Sequence, residues 1–422
     1  MQPVHQKTPA MTDPSNATTT HHRVLIAGGG TAGLSVASAL LRRHPDLDVS
    51  VIEPSTDHYY QPGWTLVGGG DMPQQHTRRA QADVMPEGAE WIRDSVARLE
   101  PDSNQVVVAG GTTHSYDVLV VALGLQLNWD AIDGLVETLG RNGVTSNYHY
   151  DHAPYTHELA STLAGGRALF TQPAMPIKCA GAPQKALYLT ADTLRRRGVN
   201  ATLEFYNQGA SMFGVPVYAR ELDKVIAGYG ATPYFGHDLI AVDGDRGQAV
   251  FATAEGDITR DFDMLHVVPP QSAPDVIRNS PLAGAAGWVS VDRHRLAHTT
   301  YDNVFGLGDC TDTPNAKTMA AVRRQVPTVV DGVLNKLDMG KAAPLYDGYG
   351  ACPLTVEHGR VLLAEFRYDQ EVVSSFPLDP RQPRRLHWLF KRHIFPMMYW
   401  QMMLHGHDWR RPHPRPLPEL TQ

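Results

Sequence analysis

An α/β fold of two Rossmann-like lobes followed by a C-terminal region of different character is predicted by three observations. An apolar strand runs straight into a glycine-rich turn and a helix at residues 23–41. A second strand–turn–helix–strand lies at residues 168–206, with prolines and a cysteine where the glycines would be. Residues 381–415 then turn cationic, aromatic and methionine-rich. The 422 residues suffice for two to three compact units, and 42% apolar against 19% charged residues is the balance of a globular chain. A net charge of -7 argues against a general nucleic-acid binder, which needs a cationic surface. Three cysteines with no CxxC spacing exclude a disulfide framework, a zinc ribbon and a thioredoxin-type motif.

Residues 1–22 are polar, with no apolar core segment and no arginine, so neither a secretory signal nor a transit peptide is expected. This stretch is expected to be disordered. Order is expected from Arg23, where Val24-Leu25-Ile26-Ala27 meets Gly28-Gly29-Gly30-Thr31-Ala32-Gly33 and a helical pattern through Leu34, Ala37, Leu40 and Leu41. Gly28 permits the tight turn, Gly30 lets the backbone approach a pyrophosphate, and Gly33 lets the helix pack on the strand. The next strand, Val49–Ile52, ends in Glu53, where a carboxylate is needed to accept from ribose hydroxyls. Together these mark a dinucleotide site.

Two later strands, Tyr116–Ala122 leading into Leu123-Gly124 and Asn303–Gly308 ending in Asp309, resemble the pair with which flavoprotein disulfide-reductase-like enzymes close their FAD domain. That resemblance implies that Asp309 bonds the ribityl chain and that the helix after it aims its N-terminus at the flavin; a plain helix cap is the alternative. In such proteins a second unit carries another glycine fingerprint for NAD(P)H. Here the turn from Gln172 to Pro183 holds Pro173, Pro176 and Cys179 and no such pair, which disfavours a nicotinamide donor. Cys179 instead precedes a helix between Lys178 and Lys185, where the dipole and two ammonium groups favour thiolate. A buried, inert cysteine is the competing reading.

The runs His58 to Gly70, Lys178 to Lys185, Gly308-Asp309-Cys310-Thr311 and Tyr349 to Leu354 resemble sulfide:quinone oxidoreductases, in particular the group that includes the mitochondrial enzyme, from about Arg23 to the C-terminus. The resemblance implies a redox-active pair of Cys179 and Cys352 beside FAD, with Gln61, Val96 and Lys317 falling where the family contacts the flavin region. For Lys317 a solvated helix lysine is the alternative. Cys310 matches no redox position of this group and is expected to pack at a helix start, with a third catalytic cysteine as the alternative. The implied reaction takes hydrogen sulfide to persulfide or polysulfide, with ubiquinone or menaquinone accepting two electrons and a small thiol or other sulfur nucleophile removing the sulfur. An NADH:quinone oxidoreductase and a flavin-bearing persulfide sensor remain alternatives.

The resulting division is an FAD-binding domain from residues 23–145 and 266–330, a degenerate second Rossmann-like domain at 146–265 carrying Cys179, and a cap at 331–422 carrying Cys352. Residues 381–415 hold eight Arg and Lys against Asp408, a charge of +7 that leaves -14 on the rest. Lys391, Arg392, His393 and Pro396 break the apolar run, so the segment is too short to span a bilayer. Its Trp, Phe and Met beside cations describe helices lying in a lipid interface, and the expectation is a peripheral protein of the bacterial inner membrane or an equivalent energy-transducing membrane. A core or dimer-forming helix is the alternative, and a homo-oligomer is left open. The histidines have no matched ligand spacing, and no metal is expected.

Overall fold

The computed structural model describes residues 19–407 and 414–417. Residues 1–18 of the expected disordered stretch lie outside the described residues, but its last four do not. Strand β1 covers Thr19–Ala27 and pairs in parallel with Thr113–Val121 from its first residue. The polar Thr-Thr-His-His run is strand because His22 is buried, its ring nitrogens 2.7 Å from Ser50 Oγ and 3.0 Å from His114 Nδ1. From Val24 to Ala27 every side chain is buried, as a central parallel strand covered on both faces requires.

Helix α1 (Thr31–Arg43) is followed by β2 (Val49–Ile52), β3 (Ala89–Ile92), β4 (Val96–Glu100), β5 (Gln105–Val108) and β6 (Thr113–Val121). These strands form one sheet in the order β3-β2-β1-β6-β5-β4. Gly33 lets α1 lie on that sheet, since a Cβ there would sit 1.8 Å from the Gly28 carbonyl oxygen.

The second lobe comprises β7 (Val144–Thr145), β8 (Arg167–Gln172), α2 (Ala182–Arg197), β9 (Thr202–Asn207), β10 (Thr232–Phe235) and β11 (Met264–His266). Its sheet is wholly parallel, in the order β7-β11-β8-β9-β10. The chain enters and leaves it beside a ribbon of Gln126–Leu127 against Gln271–Ser272. It then adds β12 (Val304–Gly306) in parallel to the end of β6, returning to the first sheet. Asp309 sits in a short 3-10 turn, and the long helix α3 (Met319–Lys336) begins only after Thr318, whose hydroxyl accepts from the Ala321 amide. The expectation of a helix starting at Asp309 and Cys310 is therefore corrected: an eight-residue-scale connection carrying Lys317 intervenes, and Thr318 is the cap.

The C-terminal region divides between both lobes. The hairpin of β13 (Gly350–Glu357) and β14 (Arg360–Phe366) places Cys352 opposite Ala364 and packs with α2. Helix α4 (Arg385–Leu389), a π-helical turn (Phe390–Ile394) and α5 (Phe395–Gln401) follow. Their faces differ. Tyr399, Trp400, Met403 and Leu404 belong to the core formed by β1 and α1, whereas Leu386, Leu389, Ile394 and Met397 are exposed. The purely interfacial reading of 381–415 is thus corrected: one side of this segment completes the first lobe. Arg415 lies in a two-residue strand against Ser374, and Arg410 and Arg411 fall outside the described residues. No helix among the described residues is long and apolar enough to cross a membrane.

Candidate active site

A cavity of about 580 Å³ runs from the β1–α1 turn to the start of α2 and on beneath α5. At the turn, Gly28 has φ +107° and a Cβ there would meet the Ala122 carbonyl oxygen at 2.5 Å, so no side chain is tolerated. Gly30 differs: nothing lies within 4 Å of a Cβ built on it, which leaves room for a pyrophosphate at the N-terminus of α1. The Glu53 carboxylate accepts from the Gly29 amide at 2.9 Å and the Ser55 amide at 2.8 Å. Burial pushes its pKa up, and those two bonds pull it back. Gly28, Gly30, Thr31, Glu53, Gln61, Val96, Asp309 and Lys317 all line this cavity, with Gly29 and Gly33 behind it as backbone supports.

At the far end of the same turn system, burial raises the Asp309 carboxyl above its ordinary range, against the pull of Lys317 and Lys178. Lys317 is buried, not solvated. Its ammonium donates to the Asp309 carbonyl at 2.7 Å and the Thr311 carbonyl at 2.8 Å, and lies 3.9 Å from the Trp288 ring centroid. Its own carbonyl accepts from the Cys179 amide at 2.9 Å, so Lys317 ties the cysteine turn to the Asp309 turn.

Cys179 and Cys352, 173 residues apart, bring their Sγ atoms to 3.6 Å. Three features make this approach possible. Cys179 takes a left-handed backbone, φ +51°, a conformation uncommon for a non-glycine residue. Gly181 caps α2, and a Cβ on it would lie 2.8 Å from Cys352 Sγ and 2.2 Å from Leu354 Cδ2. The β13–β14 pairing then presents Cys352 to that gap. Lys185, one turn into α2, donates to Cys179 Sγ at 3.1 Å. The hydrogen bond from Cys352, against the cost of burial and with the Lys185 charge, holds the Cys179 thiol well below its ordinary range, and the same pairing pushes Cys352 well up. Of the two lysines expected beside Cys179, Lys185 is the direct partner. Lys178 donates to Gln61 Oε1 at 2.8 Å, and burial lowers its pKa to about 8.

Lys391 was hidden in the cationic segment. It is buried and donates to the Pro353 carbonyl at 2.9 Å and Thr355 Oγ1 at 2.6 Å, on the strand that carries Cys352. Burial, then the Lys185 charge, depresses its pKa, and the two thiols oppose that. His387 and Met398 of the same segment are buried with it. Cys310 stands apart, fully buried, its thiol near the Val121 and Leu307 carbonyls at 3.4 and 3.3 Å and pushed by burial to about 11. Among the described residues no cluster of three or more His, Cys, Asp or Glu side chains is arranged to hold a metal ion.

Residues 22–164 match the pyridine nucleotide-disulphide oxidoreductase family. Two curated relatives are both named mitochondrial sulfide:quinone oxidoreductase. That of Dictyostelium discoideum is 44% identical over 91% of this chain and 86% of its own length. That of Mus musculus is 40% identical over 93% and 88%. The solved sulfide:quinone oxidoreductase of Aquifex aeolicus shares the fold with a TM-score of 0.75 at 19% identity, covering 95% of this chain and 97% of that one. The match to the pyridine nucleotide-disulphide oxidoreductase family implies a flavin cofactor. With identities of 44% and 40% over most of the length of these relatives, the chain is an oxidoreductase that belongs to the sulfide:quinone oxidoreductase family.

Proposed function

We propose that the protein oxidises hydrogen sulfide to sulfane sulfur with bound FAD and passes two electrons to a membrane quinone, ubiquinone or menaquinone. The observation that carries this reading is the approach of Cys352, from behind, to within 3.6 Å of Cys179, which lines the cavity that the glycine turn opens. The open space at Gly30 and the seated Glu53 fit a dinucleotide, so the Gly28–Gly33 turn, Glu53 and Asp309 would hold FAD, with Gln61, Val96 and Lys317 beside it. When bound, FAD supplies the two-electron relay between a thiolate and the quinone.

The chain's own residues set the sulfur chemistry. In the oxidised pair, hydrosulfide attacks the Cys352 sulfur, the S–S bond breaks, and its electron pair leaves with Cys179 as thiolate. Cys352 keeps the added sulfur as a persulfide that retains the hydrosulfide proton. This direction follows from leaving-group chemistry: the thiol of lower pKa departs faster, and Lys185 and the start of α2 stabilise Cys179. A small thiol or other sulfur nucleophile then takes the outer sulfur and leaves Cys352 as a thiolate, and the bridge closes again as the two electrons this releases pass to the quinone by the relay that bound FAD would supply.

Phe395, Met398 and Met403 line the cavity from the same segment that exposes Leu386, Leu389, Ile394 and Met397. That placement suits a quinone arriving from lipid and a protein seated peripherally on the membrane surface, with Arg385 and Arg392 near anionic headgroups. Anaerobic addition of sulfide to the purified yellow protein should bleach the flavin, and a quinone should restore it. Bleaching by NADH but not by sulfide overturns the reading, and sulfide bleaching that no quinone reverses leaves a sensor.

A further inference from the structure

Between Gly29 and Thr31, the two residues flanking the open position at Gly30, runs a buried circuit of hydrogen bonds that passes through the C-terminal helix. Gln81 Nε2 donates to the Gly29 carbonyl at 2.9 Å. That leaves Gln81 Oε1 to accept from His58 Nδ1, at 3.1 Å. His58 is buried and its pKa is lowered by that burial to about 4, so near neutrality its Nε2 carries a lone pair. Tyr399 donates its hydroxyl hydrogen to this Nε2 at 2.5 Å, and its oxygen accepts from Thr31 Oγ1 at 2.9 Å. A residue of α5 thereby fixes the hydroxyl of the first residue of α1.

Other contacts hold the same segment in place. Ser38 Oγ donates to the Leu404 carbonyl at 2.6 Å, and the Arg79 guanidinium lies 4.5 Å from the Trp400 ring centroid. Gly406, at φ +65°, comes so close to α1 that a Cβ would lie 2.4 Å from the Ser38 carbonyl oxygen. Tyr399, Met398 and Met403 line the dinucleotide cavity.

We propose that residues 395–407 form a wall of the dinucleotide cradle that retains FAD, with Tyr399 as a positioning residue acting on Thr31 directly and on Gly29 through His58 and Gln81. This rests on the reading that the cavity holds FAD, which the yellow colour and extracted cofactor of the unmodified holoenzyme test separately. Y399F keeps the ring and leaves His58 Nε2 and Thr31 Oγ1 without their partner, so FAD should leave the holoenzyme about tenfold faster, the scale of one buried hydrogen bond. Release is followed by the rise in flavin fluorescence on dilution. Q81L opens the circuit at its other end and serves should Y399F not fold. In the double variant the off-rate should match that of the faster single variant, because members of one network are non-additive. A wild-type off-rate in Y399F, or in Q81L if only that variant folds, overturns the proposal, as does a double variant whose effects simply multiply. A loss of general stability alone would lower the melting temperature without enlarging the FAD off-rate, and that outcome also overturns it.

Discussion

The turn from β1 into α1 and the turn from β8 into α2 hold equivalent places in their lobes. Each leaves the carboxyl end of a buried parallel strand and enters a helix whose first residues border the same cavity. At the first turn the chain removes side chains: Gly28 and Gly33 are demanded by backbone contacts and Gly30 faces open space, so an anion at the helix N-terminus must come from a ligand. At the second the chain supplies its own anion, the sulfur of Cys179, backed by Lys185. The glycine kept there, Gly181, makes room for Cys352 and not for a phosphate. The two units thus share an electropositive helix start and differ in what would meet it, a ligand phosphate at the first under the proposed function and the chain's own sulfur at the second. That difference explains why the second lobe reads as degenerate by the glycine criterion.

The largest effect should come from refilling the second turn. In Gly181→Ala the new methyl would overlap Leu354 and Cys352, both side-chain ends that can swing away, so the fold should survive while the thiols move apart. Misplacing a reacting group by about 1 Å costs on the order of 100-fold in rate. Sulfide-dependent flavin reduction should fall by at least that factor, with flavin content unchanged. Undiminished turnover would show that the gap at Gly181 is not what lets the pair meet.

A smaller effect should follow from removing the cation while leaving the glycine. Burial pulls the Lys185 ammonium down, but the two thiols pull it up by more, so it stays charged beside Cys179. Lys185→Met should shift the pH midpoint of Cys179 alkylation upward, since the thiolate loses its donor. With a shift of about one unit, alkylation measured at a pH below the midpoint slows roughly tenfold. An unchanged midpoint would transfer the stabilisation of the thiolate to the Cys352 hydrogen bond, Lys391 and the start of α2.

The difference between the turns also governs what could be read in advance. The glycine turn and Glu53 were legible because both lie in one local unit with fixed spacing. The meeting of Cys179 with Cys352 has no local signature, and only the family resemblance pointed to it. Lys391 and Trp400 were read as interfacial for a physical reason: apolar and basic residues alternating along a helix look alike whether the apolar side meets lipid or the protein core. The π-turn at Phe390–Ile394 compounds this by shifting the face on which each side chain emerges. Residues 19–22 were polar enough to read as a tail, yet strand pairing and the His22–His114 contact order them.

The smallest effect is expected at the third cysteine, where the contrast between the turns isolates environment from residue type. Cys310 follows the Asp309 turn as Cys179 precedes α2, yet its surroundings are inverted. Among the described residues no cation bonds its sulfur, whose neighbours are the Val121 and Leu307 carbonyls, and burial raises its pKa to about 11 where Cys179 is held low. At neutral pH such a thiol is almost wholly protonated and is a poor nucleophile. It contributes packing within the core of the first lobe. Cys310→Ala should therefore cost about 1 kcal/mol of stability, the scale of one small buried group, seen as a slight fall in the denaturation midpoint. Sulfide oxidation should stay within twofold of the unmodified enzyme, and alkylation of the folded protein should spare this position. Complete loss of turnover in a well-folded Cys310→Ala protein would mean that a thiol held protonated by burial takes part in the sulfur chemistry, and the division of labour between the two turns would have to be redrawn around three sulfurs.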